Sequence, residues 1–364
     1  MKLHGRIRVL LSVLVLLTVA CPSWGFVDPL DRPATKSALA PRSLLNAVAY
    51  AGERLVAVGQ RGHILYSDDA GTSWTQAEVP VSSDLTAVHF PTSLKGWAVG
   101  HDGVVLASAD GGKSWIKQLD GRAIGRLMQD HYAGPDDEQR NANELEVLQA
   151  AAQRIADEGA DKPFLSVWFD SETDGYAVGV FNLIFHTSDG GTTWTPWFDR
   201  TENPEQLHFS AIQRVGDDLY LAGERGMVLK LDKEAQRFRA VSVDYPGTFF
   251  GLAGHGQAVF VFGLRGNVFR SEDGGAQWHA VTTGLNVTIT GATRTKDGRI
   301  VLVSQRGDVL VSADDGRSFT PSPTAQTLPA SAVVPLGTDA LVLVGARGAS
   351  IQPLEKRAPT PITK

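Results

Sequence analysis

Over 364 residues, 40 acidic side chains against 34 basic ones give a formal charge of −6. That balance argues against a nucleic-acid partner, which would call for a dominant basic surface. A single cysteine, Cys21, excludes any disulfide within the chain, so stability rests on a packed core.

The chain opens with the pattern of a signal peptide over residues 1–25. Lys2, Arg6 and Arg8 form a basic start, Val9 to Ala20 an apolar run, and small residues follow. The run is too short to span a bilayer comfortably. Two processing routes stay open: cleavage after Ser23-Trp-Gly25, or lipidation of Cys21 after Thr18-Val-Ala. Either exports the protein to the periplasm, free or lipid-anchored. Residues 26–43 hold three prolines and read as an extended segment.

From residue 44 a repeat takes over. An apolar run, a Gly-x-x-Gly turn and a second apolar run recur at VGQRGHILYS (58–67), VGHDGVVLAS (99–108), VGVFNLIFHT (178–187), AGERGMVLKL (222–231), FGLRGNVFRS (262–271), VSQRGDVLVS (303–312) and VGARGASIQP (344–353). The last turn position falls at 62, 103, 182, 226, 266, 307 and 348, in steps of 41, 79, 44, 40, 41 and 41 residues. A constant period with one doubled step predicts seven structural units. Each unit reads as four short antiparallel strands, the signature of a propeller blade. The fold class is therefore all-β: a single seven-bladed β-propeller, with blades 1–2 over 44–121 and blades 3–7 over 164–356. Residues 357–364 are a tail.

The doubled step is filled by residues 122–163, with five basic and nine acidic side chains. Leu145, Leu148, Ala152 and Ile155 recur at helical spacing behind a possible cap at Asn143, and a shorter helix fits around Ile124 to Met128. This is a helical insertion between blades 2 and 3 on the face that carries the Gly-x-x-Gly turns. Whether it covers that face or stands beside it is open. The seventh blade ends after three strands. Its missing fourth strand would leave an open seam, and residues 26–43 are expected to supply it.

A second unit, Ser/Thr-x-Asp-x-Gly-x-x-aromatic, follows five of the turns. Its key residues are Asp69 and Trp74, Asp110 and Trp115, Asp189 and Trp194, Asp273 and Trp278, and Asp314 and Phe319. The fourth blade keeps only the aromatic, Phe238. A tight hairpin explains the pattern: glycine supplies positive φ, and the hydroxyl and carboxylate bond the loop's own amides. A catalytic group is needed once, and a fold device in every blade.

The unit resembles the Asp-box (BNR) repeat of sialidases and sortilin-type receptors, a motif specific for fold and nearly silent on activity. Together with the signal peptide, the seven blades, Gly96-Trp-Ala-Val-Gly100 and the Gly-x-Arg-Gly turns, it resembles the photosystem II stability/assembly factor family and its relatives in non-photosynthetic bacteria. That resemblance implies a non-catalytic assembly factor, a monomer outside its complex, without cofactor. The implied partner is a membrane protein or its periplasmic loops. For the bacterial relatives it implies an accessory to a transporter of the resistance-nodulation-division type.

Within the turns, the third position reads Arg61, Asp102, Phe181, Arg225, Arg265, Arg306 and Arg347. All seven turns emerge on one face, so five arginines are expected around one mouth of the central channel. Two readings stand: each arginine pairs with a neighbouring carboxylate, or together they dock an acidic partner. The sialidase alternative needs an arginine triad, and the closest approach to its Arg-Ile-Pro motif is Gly298-Arg299-Ile300 followed by Val. A carbohydrate-binding or glycoside-hydrolase-like use of the same mouth would need exposed aromatics and a carboxylate pair there. The nine histidines are scattered without metal-ligand spacing.

Overall fold

The computed structural model describes residues 27–133, 142–323 and 327–355. The signal-peptide features, Cys21 and the 357–364 tail lie outside these residues. Among the described residues, six four-stranded antiparallel sheets and one three-stranded sheet follow one another, each built from consecutive strands in the order first to last. The first strand of each blade packs on the first strand of the next around the ring, and the last blade packs on the first.

The second strands are buried along almost all of their length, and end to end at Gly96–Gly100, Gly175–Gly179 and Ala258–Gly263. Covered on both faces by neighbouring blades, they read as continuous apolar runs rather than alternating ones. The core lies between blades: Val56 and Val58 of the first pack with Leu85, Val88 and Phe90 of the second.

The Ser/Thr-x-Asp-x-Gly hairpins join third to fourth strands as expected. In the second blade Ser108 Oγ donates to Asp110 Oδ1 at 2.9 Å and accepts from Gly112 N at 2.9 Å. Asp110 also accepts from Lys113 N, Ser114 N and Ser114 Oγ. Trp115 Nε1 closes the loop onto Gly112 O at 3.1 Å. Gly112 has φ +86° and a Cβ there would sit 3.0 Å from Val56 of the preceding blade, so conformation and close approach both demand glycine. In the first blade, hydrogen bonds from Ser73 (side chain, then backbone) and from Ser67 hold the Asp69 carboxyl at about 2. The fourth blade, lacking the unit, uses a longer last strand, Arg237–Val241, with Asp232 bonding Glu234 N and Ala235 N at the hairpin.

The insertion forms two helices, α1 (Gly121–Ala133) and α2 (Ala142–Glu158). Asn143 lies inside the first turn of α2, not before it. The helices pack closely where Gly125 meets Ala156: a Cβ on Gly125 would lie 2.4 Å from the Ala156 Cα. Ile124, Met128, Tyr132, Leu148 and Ile155 join a core with Phe164, Phe185 and Trp194 of the third blade. Tyr132 Oη donates to Asp199 Oδ1 at 2.9 Å. The pair is thus held against both blade 2 and blade 3.

The expected fourth strand of the seventh blade is not formed by residues 27–43. Among the described residues that sheet keeps three strands, Ala332–Leu336, Ala340–Gly345 and Gly348–Pro353. The N-terminal segment runs instead along the outer edge of blade 1: Ala34 N donates to Val79 O at 3.0 Å and Ser82 N to Pro29 O at 2.8 Å. The last strand of blade 1 is only Thr75–Gln76, so the backbone beyond it offers unpaired groups that this segment satisfies. Leu30 is buried there against Val79 and Val81. Blade 7 meets blade 1 by face packing. Ala40 sits in a core with Leu45 and Val344, and Tyr50 Oη donates to Pro335 O at 2.6 Å.

Candidate functional site

All seven Gly-x-x-Gly turns join second to third strands and so lie at the same end of the barrel. In five of them the third and fourth positions are both left-handed: Arg61 and Gly62 (φ 55° and 70°), Asp102 and Gly103 (58° and 64°), Phe181 and Asn182 (52° and 64°), Arg225 and Gly226 (51° and 72°), Arg265 and Gly266 (55° and 76°). The fourth position is pressed against the connection entering the next blade. A Cβ on Gly226 would lie 1.8 Å from Tyr245 O. Asn182, the one departure, tolerates this conformation and fills a buried network: its Nδ2 donates to Phe198 O, and its Oδ1 accepts from Thr201 Oγ1 and Asn203 Nδ2.

The sixth turn is built differently. Ser304 replaces the first glycine, and its hydroxyl donates to Asp308 Oδ2 while accepting from Arg306 N and Asp308 N. Arg306 accordingly escapes positive φ, and so does Arg347, in a seventh turn that keeps Gly345 but closes as a two-residue hairpin between Gly345 and Gly348. The third position therefore excludes β-branched residues in five turns, a restriction the sequence did not disclose, but it does not require arginine.

All five arginines are exposed, and they divide. Arg225 pairs with Glu205, and Arg306 Nη2 with Asp308 Oδ1 at 2.9 Å, a bond that raises the Arg306 pKa further. Arg61 is held through its backbone, with N donating to Asp84 Oδ1 at 2.6 Å. Among the described residues, the guanidinium groups of Arg61, Arg265 and Arg347 have no carboxylate within ion-pair distance. The internal-pairing reading thus describes two of the five arginines among the described residues. Asp102 accepts from Ser83 Oγ rather than from an arginine.

Between blades 5, 6, 7 and 1 this face holds a cavity of about 620 Å³. Its walls include Leu264, Gln305 and Ala346, each the residue immediately before one of the arginines, together with Leu44, Phe250 and the hydroxyls of Thr290 and Ser331. Among the described residues, no carboxylate lines it. No described residue of the insertion lines these walls: α1 packs on the turn of blade 2, where Gly103 meets Gly121 and Ile124. A second concavity of about 610 Å³ lies between α2 and the connection leaving blade 3, against Val147, Leu148, Phe198 and Pro204.

Phe250 is the site residue that sequence reasoning missed. In six blades the innermost strand carries a one-residue bulge next to this face, at Asn46, Thr86, Leu165, Ser210, Phe250 and Thr290. Three of these side chains tie one blade to the next: Asn46 to Leu85 O, Thr86 to Phe164 O and Thr290 to Ala330 O, at 2.7, 2.7 and 2.8 Å. The only sequence signal was the break in alternation at Phe249-Phe250.

A sequence profile described as photosynthesis system II assembly factor YCF48 matches residues 146–327. The photosystem II assembly lipoprotein Ycf48 of Synechococcus sp. (strain CC9902) is 24% identical over 157 residues, 42% of this chain and 47% of that one. The chloroplastic photosystem II stability/assembly factor HCF136 of Oryza sativa subsp. japonica is 24% identical over 174 residues, 41% of this chain and 42% of that one. The chain thus matches somewhat under half the length of these relatives. Among solved structures, YCF48 from Cyanidioschyzon merolae superposes with a TM-score of 0.62 at 14% identity, covering 89% of this chain and 98% of that one. The structure of YCF48 bound to D1 peptide gives 0.59 at 12% identity, covering 89% and 100%. These likenesses show the propeller fold.

Proposed function

The chain belongs to the photosystem II assembly factor Ycf48 family, and from that premise we propose that it is an exported, non-catalytic scaffold that docks an acidic segment of a membrane protein. The docking site is the arginine-rimmed mouth. The observation that carries this reading is the set of three exposed arginines, Arg61, Arg265 and Arg347, kept free of described carboxylates in a protein of net charge −6. Free guanidinium groups recognise carboxylates bidentately, and a ring of them selects an anionic partner by charge and by geometry.

Several findings support parts of this reading. Relatives are named as assembly lipoproteins, which favours export and a membrane anchor, with Cys21 as the lipidated residue. One solved relative, YCF48, holds a D1 peptide, which favours a peptide segment as the thing bound. A transporter of the resistance-nodulation-division type is the membrane partner that the resemblance to bacterial relatives suggests. A glycan-cleaving use of the same mouth is not favoured, since its described walls offer no carboxylate pair for acid–base work.

The test is co-purification from detergent-solubilised membranes. Wild type retains a membrane protein, and Arg61→Glu/Arg265→Glu/Arg347→Glu, still folded by circular dichroism, loses it. A control that makes the same charge change at the opposite end, Lys113→Glu/Lys233→Glu/Lys296→Glu, retains it. Retention by the arginine variant removes the docking reading.

A further inference from the structure

The repeat sets what each mouth position needs for folding, so a departure from it identifies what is there for another reason. At the bulge of the innermost strand, four blades place a polar residue, Asn46, Thr86, Ser210 or Thr290. Two of them, Thr86 and Thr290, use the hydroxyl to bond the next blade. Blade 5 places Phe250 there, 40% exposed. Its turn also carries Leu264, 36% exposed, where blades 1 and 6 carry Gln60 and Gln305. Exposing two large apolar side chains side by side costs solvation free energy, and the neighbouring blades show that the fold can be made without it. Both line the cavity of about 620 Å³, and Arg265 and Arg347 stand one residue away from its walls.

We propose that this cavity is a socket for one bulky apolar side chain, leucine-sized or aromatic, of a bound peptide segment whose flanking carboxylates engage Arg265 and Arg347. The inference rests on the docking reading above and adds to it a specificity element. Arginines alone would accept any anionic loop. An apolar anchor buried at the centre of a polar rim is the arrangement that concentrates binding energy, and filling it selects acidic segments with an apolar residue between their charges. The volume exceeds a single side chain, so the socket also admits backbone of the bound segment against the hydroxyls of Thr288, Thr290 and Ser331.

The experiment begins with a random peptide-display library selected on the immobilised wild-type protein. The expected pool pairs Asp or Glu with a Leu, Phe, Ile or Met at fixed spacing. The best such peptide, and its twin with serine for the apolar residue, are then titrated by fluorescence anisotropy. Phe250→Thr/Leu264→Gln, which installs residues already used by other blades, should bind the apolar peptide roughly 10- to 100-fold more weakly, the range expected for one buried side chain. It should bind the serine twin as wild type does. Arg265→Ala/Arg347→Ala should weaken both peptides. Acidic peptides without an apolar preference, or unchanged affinity in the Phe250/Leu264 variant, overturn the socket and leave the docking reading standing. Selected peptides without carboxylates, indifferent to the arginine variant, overturn both.

Discussion

His89 makes the protein's stability depend on pH in a window where most surface histidines would be indifferent. It lies on the innermost strand of blade 2, its Nδ1 accepts Phe169 N–H at 3.1 Å, and its ring stacks on Trp168 with centroids 4.1 Å apart. An acceptor at Nδ1 requires the neutral ring. Burial, opposed in part by the charge of Asp170, takes its pKa from 6.5 down to about 4. A depressed pKa means that the unfolded chain binds the proton more tightly. Stability is therefore fully present above pH 6.5 and is lost as pH falls towards 4. The difference corresponds to roughly 3 kcal/mol once both states are protonated, and to about 2–3 kcal/mol at pH 4.5.

The carboxylates with lowered pKa, Asp69 among them, also lose stability in acid, so the histidine must be isolated by comparison. His89→Asn keeps an acceptor for Phe169 N–H and cannot be protonated. Urea unfolding at pH 7 and pH 4.5 should show wild type losing about 2–3 kcal/mol more than His89→Asn across that interval. In the folded wild type, the His89 ring signals followed by NMR should not titrate until near pH 4. Equal losses in the two proteins, or a His89 titration near 6.5, refute the reasoning.

Further outcomes follow from the turns and hairpins. Asp110→Ala removes the acceptor of bonds from Ser108, Lys113 and Ser114 and should lower stability by about 1–3 kcal/mol, read as a fall in urea midpoint at unchanged slope. Gly226→Ala should be far more damaging than Gly256→Ala. Both sit at positive φ, but a Cβ meets Tyr245 O at 1.8 Å in the first and nothing within 4 Å in the second. Thermal melts should separate them by about 2 kcal/mol or more, against a strain of about 1 kcal/mol for Gly256→Ala. Gly125→Leu should push α1 from α2 at Ala156. Faster proteolysis confined to 121–158, with the propeller intact, is the expected readout.

The blades were legible because a fold device must be repeated, and repetition is visible in one sequence. The Asp110 hairpin and the Gly96–Gly100 strand needed nothing beyond local spacing. The seam of the ring was not legible. Residues 27–43 are extended enough to form a strand, but their partner was decided by which backbone groups stood unpaired. Blade 1 beyond Gln76 presented them, together with a place for Leu30. The arginine face was half legible: topology places all seven turns at one end, whereas pairing of Arg225 depends on Glu205, twenty residues away. Phe250 was hidden by register. Alternation buries one of two adjacent residues, and only the bulge between Phe249 and Gly251 turns Phe250 to the mouth.

The docking claim is tested most directly by photocrosslinking in the living cell, with a benzophenone side chain placed singly at Gln305 or Ala346 on the arginine face and at Lys113 or Lys233 on the hairpin face. If the arginine face docks the partner, an ultraviolet-dependent adduct with one membrane protein forms from Gln305 and Ala346 and none forms from Lys113 or Lys233. Adducts formed only from the hairpin face would contradict the docking claim.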